Sequence, residues 1–159
     1  MDENKEFDLD KKVTLKSIAP WETSFARSTG TGDVVIAPHG SYRLSRAEIL
    51  AQHQNNNKLL NGIDGMGSHA TLFVDDAETR KELGFDSEDG KTKQLVFSDE
   101  LVKKVFEYKT QAAFEQHFQD AFVTRAEKNA VMGAIKRLKI NDFSKIRFAE
   151  NYTGFRYED

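Results

Sequence analysis

Hydrophobic positions along the chain change their period once, near Ser98, and the change divides the sequence into two kinds of structure. Upstream the period is about two: Val13 and Leu15 alternate with Thr14 and Lys16, and Trp21, Thr23 and Phe25 share one side of a second run after Pro20. The turn-rich link Arg27-Ser28-Thr29-Gly30-Thr31-Gly32-Asp33 leads into Val34-Val35-Ile36, and Pro38-His39-Gly40 turns the chain into Ser41-Tyr42-Arg43-Leu44. A meander of short antiparallel strands is predicted.

Ser45-Arg46-Ala47-Glu48 fits a capping box, in which the serine oxygen takes the amide three residues on and the glutamate reaches back to the cap amide. A short helix should therefore run from Arg46 to about His53 or Gln54. The tract Gln54 to Lys58 reads as loop, because asparagine side chains compete for backbone hydrogen bonds. Leu59 to Ile63 and His69 to Val74 flank Asp64-Gly65-Met66-Gly67 and are read as two strands of a hairpin. Asp75-Asp76 caps a short helix that Gly84 stops, Asp86 to Gly90 forms a solvated turn, and Thr92 to Phe97 reads as a further strand. Six or seven strands with two helical inserts suggest a small antiparallel β barrel or a strongly bent sheet.

From Ser98 the period is 3.6. Ser98 caps a helix striped by Leu101, Val102, Val105 and Phe106; after a break near Thr110 the spacing continues through Phe114, Phe118, Ala121 and Phe122. Thr124-Arg125-Ala126-Glu127 is a second capping box, opening a helix lined by Val131, Ala134, Ile135 and Leu138. A last helix starts after Asn141, packs through Phe143, Ile146, Phe148 and Ala149, and stops before Gly154. The expected fold class is α+β, with three to four packed helices after the β region. The expected organisation is an acidic flexible arm over 1–12, a β-rich subdomain over 13–97 and a helical subdomain over 98–159.

Length and composition fit this picture. A chain of 159 residues with 12 Phe, one Trp and four Tyr carries enough large apolar groups for a core, and by size it should bury roughly 70% of its unfolded surface. The absence of cysteine excludes disulfides, thiolate metal sites and cysteine nucleophiles. No apolar run reaches the length of a membrane helix, and the polar, acidic start is unlike a secretory leader, so a cytoplasmic location is expected, or a virion one if the chain is phage-encoded.

Charge narrows the candidate chemistry. The net charge of −3 conceals a gradient: residues 1–100 are acidic on balance, whereas 101–159 carry eight acids against 11 bases. The excess concentrates in Arg125, Lys128, Lys136, Arg137, Lys139, Lys145 and Arg147, which face only Glu127 and Asp142 in the same stretch. Interleaved with Phe143, Phe148 and Tyr152, these seven are the candidate nucleic-acid contacts, able to grip a phosphate backbone and stack bases. The bland alternative is that bases at a helix C-terminus offset its dipole and that the Phe residues are core.

Catalytic and cofactor signatures are missing. Gly62 to Gly67 runs into a strand rather than a helix, so it cannot cradle phosphate in the usual way, and Asp86 to Gly90 has glycine in the wrong position for an EF-hand. His39, His53, His69 and His117 lack metal-ligand spacing; His69, with Asp64 nearby in sequence, is the one conceivable acid–base pair. Ser41, Ser68 and Ser98 stand in no nucleophile context. The expectation is a non-enzymatic structural or adaptor protein, without cofactor or metal, working through protein contacts in a larger assembly such as a phage virion. Other proteins or copies of itself are the expected partners, with nucleic-acid binding as the alternative. Trp21, Phe25, Arg27 and Tyr42 are the candidate interface residues, being of the types enriched at hot spots, although Trp21 reads first as core.

Overall fold

The computed structural model describes residues 7–94 and 97–157, and over these the chain is an α+β protein. Five strands, β1 (Lys12–Ser17), β2 (Thr23–Ala26), β3 (Asp33–Ile36), β4 (Ser41–Ser45) and β5 (Leu72–Val74), are joined by three short helices, α1 (Arg46–Gln54), α2 (Lys58–Asn61) and α3 (Ala77–Leu83). Four more helices follow: α4 (Asp99–Phe106), α5 (Gln111–Ala121), α6 (Arg125–Arg137) and α7 (Phe143–Thr153).

The alternation read in Val13 to Ser17 is real: Val13, Leu15 and Ser17 are buried while Lys12 and Lys16 face solvent. β1 is the centre of a three-stranded antiparallel sheet in the order β4-β1-β5, with Leu15 opposite both Tyr42 and Val74. β2 and β3 form a separate hairpin in which Phe25 faces Val34. The sheets do not close into a barrel. The turn end of the hairpin is tied to α1 instead, where Glu48 accepts the amides of Ser28 (2.7 Å) and Thr29 (2.9 Å) and Gln52 donates to the carbonyl of Ala26 (2.8 Å). Glu48 therefore does not complete its capping box; only the Ser45 half forms, the hydroxyl accepting the Glu48 amide at 3.1 Å.

Two further strand readings fail. Leu59 to Asn61 is helical, because the Asn57 side chain accepts the Leu59 amide and caps α2. The segment 62–69 is then a closed loop rather than a hairpin turn. The Ile63 amide donates to the Ser68 carbonyl, and Gly62 adopts φ 74 where an added Cβ would lie 2.0 Å from the Ser68 carbonyl oxygen. Thr92 to Gln94 and Phe97 are outside any strand, and residues 95–96 of that run lie outside the described residues. The expected solvated turn at 86–90 buries its first residue: Asp86 is 4% exposed, accepts Arg80 Nε at 3.0 Å and takes the Gln94 amide at 2.7 Å.

The apolar stripes converge on two clusters. Val13, Leu15, Val34, Ile36, Leu44, Ile49, Leu60, Leu72 and Leu83 form one under the strands and α1–α3. Val102, Val105, Phe114, Phe118, Phe122, Val131, Ile135 and Ala149 form the other within α4–α7, where Phe118 meets Phe114 and Phe122 at 5.5 and 4.8 Å between ring centres. Burying each such ring contributes about 2–3 kcal/mol, and tilted or edge contacts add to it. The caps read at Ser98 and Thr124 are present and the Thr124–Glu127 box is complete, while the break read near Thr110 is itself a cap, its hydroxyl accepting the Ala113 amide at 3.2 Å. Of the expected arm, residues 1–6 lie outside the described residues. From Phe7 on the chain is held, with the Arg46 guanidinium 4.3 Å from the Phe7 ring and the Arg46 and Ala47 amides donating to Lys11 and Leu9.

Candidate functional site

Helix α6 carries the densest set of candidate residues. Its inward face is fixed by Ala126, Val131, Met132, Ala134 and Ile135, so Arg125, Lys128, Asn129 and Lys136 fall along the more open side at helical spacing. Aromatic rings lie beside three of these cations. The Arg125 guanidinium is 5.9 Å from the Trp21 ring and 5.8 Å from that of Phe155. Lys128 Nζ is 4.7 Å from Tyr152 and Lys136 Nζ is 5.8 Å from Tyr157. Each cation–ring contact contributes about 0.5–1 kcal/mol at such exposure and also limits where the cation can go.

The segment after α7 supplies two of the rings. Gly154 takes the left-handed conformation (φ 79) and ends the helix; the Phe155 amide then donates to Thr153 Oγ1 and the Tyr157 amide to Glu150 Oε2. This lays Phe155, Arg156 and Tyr157 beside α6 and encloses a small cleft of about 180 Å³ over Gly133. Tyr152 donates to the Phe122 carbonyl at 3.0 Å; burial first, then the Glu127 and Asp120 carboxylates, push its phenol above the usual range, so it stays neutral.

The remaining bases of the stretch go elsewhere. Arg137 pairs with Asp99 at 2.5 Å, and Lys139 sits beyond the helix in the left-handed region (φ 57). Lys145 is buried at 8% exposure and donates to the carbonyls of Phe106 and Tyr108, both at 2.7 Å, which withdraws it from any phosphate. Arg147 lies over Phe143 at 5.0 Å on the outer side of α7, and Phe143 itself is 71% exposed instead of packing, because it falls on the same solvent face as Arg147 four residues on. The structure thus gathers Arg125, Lys128 and Lys136 and disperses the other four, while adding Arg156, which was not among the candidates.

The four interface candidates also divide. Trp21 is 36% exposed and not part of either core, since the bend after Pro20 turns it away before β2 directs Thr23 and Phe25 inward. It joins the α6 strip. Phe25 is half-buried against the first core. At the other end of β2, Arg27 donates from Nη2 to Tyr42 Oη at 2.8 Å, with its guanidinium 5.8 Å from that ring.

His53, His69 and His117 are engaged by neighbouring side chains. His69 Nδ1 is 3.0 Å from both oxygens of Glu127, not near Asp64, whose carboxylate instead accepts the Met66 and Ser68 amides. The carboxylate of Glu127 also takes the Val123 and Thr124 amides, so His69 is one of several donors on a helix cap and links the loop before β5 to the start of α6. His53 bonds Asn61 Oδ1 at 2.8 Å and His117 stacks on Tyr108 at 3.9 Å. Among the described residues there is no group of three or more metal-ligating side chains, and no helix is long and apolar enough to cross a membrane. No protein-family model, curated protein or solved structure matches this chain.

Proposed function

We propose that this chain is a non-enzymatic assembly or adaptor protein whose contact surface is centred on Trp21, Arg125 and Phe155. The observation that carries the reading is the arginine held between two rings, one from the strand half and one from the C-terminal segment. Tryptophan, tyrosine and arginine dominate binding hot spots because they bury much area with few rotatable bonds, and here the cation–ring contacts set the rotamers before a partner arrives. A multi-protein particle, of which a phage virion is an example, is the setting we assign, with copies of this chain or another protein as partner and the cytoplasm or the virion as location.

The test is oligomeric state and partner recovery. Native mass spectrometry of the purified chain, or affinity capture from its source, should give self-association or a stoichiometric protein partner. Trp21→Ala with Arg125→Ala should abolish it while leaving the melting temperature within a few degrees. A monomer that captures no partner overturns the reading.

One observation favours a second function. Arg125, Lys128, Lys136 and Arg156 share a face with four rings, the combination by which single-stranded nucleic acid is gripped through phosphates and stacked bases. Under this reading an oligonucleotide binds at low salt with a logarithmic salt slope of about −0.7 per phosphate contacted. Reversing charge at Arg125 and Lys128 removes binding, whereas the same change at Lys139 does little. Failure to retain an oligonucleotide at low salt ends the second reading and leaves the first standing.

A further inference from the structure

A different cleft, on the strand half, is lined by charge of one sign. It runs along β4 and has a volume of about 410 Å³, within the range of small-molecule sites. Its polar lining is Lys12, Arg27, Ser41, Tyr42, Arg43 and Ser45: three cations, three hydroxyls and no carboxylate. Lys11 and Lys16, on the same strand segment, are matched by Asp76 and Asp75, but Lys12, Arg27 and Arg43 have no ion-pair partner among the described residues.

The hydrogen-bond inventory of the cleft points the same way. Tyr42 Oη accepts from Arg27, which leaves its own hydrogen to donate. Ser45 Oγ accepts the Glu48 amide and is left in the same condition. Arg43 spends one N–H on a long contact to the Lys12 carbonyl, at 3.4 Å, and keeps the rest of its fork. Every lining side chain with a polar tip therefore offers a hydrogen.

One of the three cations is also fixed in advance. Arg27 is half-buried and anchored to Tyr42, and the chain directly after it is pinned by Glu48 through the Ser28 and Thr29 amides. With no carboxylate among the lining side chains, an entering anion meets positive charge that the cleft itself does not neutralise.

We propose that this cleft is a binding site for a small phosphate-bearing anion, a pyrophosphate or phosphomonoester group gripped by Lys12, Arg27 and Arg43. Planar guanidinium forks match phosphate oxygens two at a time, and the lysine adds a point charge. The cleft is larger than one phosphate, so the group belongs to a ligand with further atoms. This proposal is independent of the α6 strip.

Titration of the full chain with pyrophosphate and with phenyl phosphate, by calorimetry and by amide chemical shifts, tests it; sodium chloride at matched ionic strength is the control. At least one probe should bind saturably, with shifts confined to residues 12, 27 and 41–45, and which probe binds tighter separates a diphosphate from a monoester ligand. Arg43→Gln, at an exposed position, should weaken binding by at least about tenfold. The Trp21→Ala, Arg125→Ala variant should bind the probe as the parent does. Thermal stabilisation by the probes no greater than by chloride, or equal binding by parent and Arg43→Gln, overturns the site.

Discussion

Glu48 is 2% exposed, yet it stays charged because four donors converge on it: the amides of Ser28 and Thr29, the Thr29 hydroxyl and the Gln52 side chain. Burial alone would raise its pKa, but the hydrogen bonds outweigh burial and bring it from the usual 4.5 down to about 2. A depressed folded value contributes stability that is complete above the usual value and is lost as pH falls from about 4.5 towards about 2. The shift corresponds to roughly 3 kcal/mol. Glu48→Gln is therefore expected to lose about 2–3 kcal/mol at pH 7 by urea unfolding, with the gap to the parent closing as pH approaches 2. A gap that stays constant across that window would refute the assignment. Two further buried charges, Arg46 and Lys145, were no more legible from sequence than Glu48: the groups that accept their side-chain hydrogen bonds lie 30 or more residues away, among them Asp76, Glu78, Phe106 and Tyr108.

Elements closed by near neighbours were legible, and those decided by distant ones were not. The stripes of α4–α6 and the caps of α4 and α6 could be read because a cap and its amide are three residues apart. Phe143 was misassigned on α7, where helical spacing identifies a face but does not say which face meets the core. Leu59 to Ile63 misled because a short apolar run fits a strand or a helix equally well, and Asn57, taken as part of a loop, is the cap that decides the matter. The strut from His69 to Glu127 spans 58 residues and had no local signal beyond the two residue types. Because Glu127 keeps its amide donors without it, His69→Ala should cost only about 1–2 kcal/mol. Hydrogen exchange should quicken in the loop 62–69 while the amides of α6 stay protected. Equal loss of protection in α6 would mean that the histidine, and not the Thr124 box, holds the helix start.

For the whole molecule, the change of period near Ser98 marks where the chain passes from one hydrophobic cluster to the other, so the α+β character was visible from patterning. Barrel closure was not, because it depends on whether the hairpin pairs with the sheet or is tied to α1, a choice made by Glu48 and Gln52. The candidate surface was half legible. Arg125, Lys128, Lys136 and Trp21 were singled out from composition, but only the fold brings the tryptophan to the helix and turns Lys145 away. The cleft along β4 drew on Arg27 and Tyr42, both singled out, and on Lys12 and Arg43, which were not, since strand pairing sets Lys12 opposite Ser45 and Thr14 opposite Arg43.

The central place of β1 in its sheet has a consequence for biosynthesis. Leu15 must pair with Tyr42 on one side and Val74 on the other, so a nascent chain that has not yet emerged as far as residue 74 leaves one flank of its second apolar strand residue without a neighbour. For that interval the growing polypeptide presents a bare backbone edge of the kind that recruits other unfinished chains. The helices that follow close on partners a few dozen residues away and wait far less.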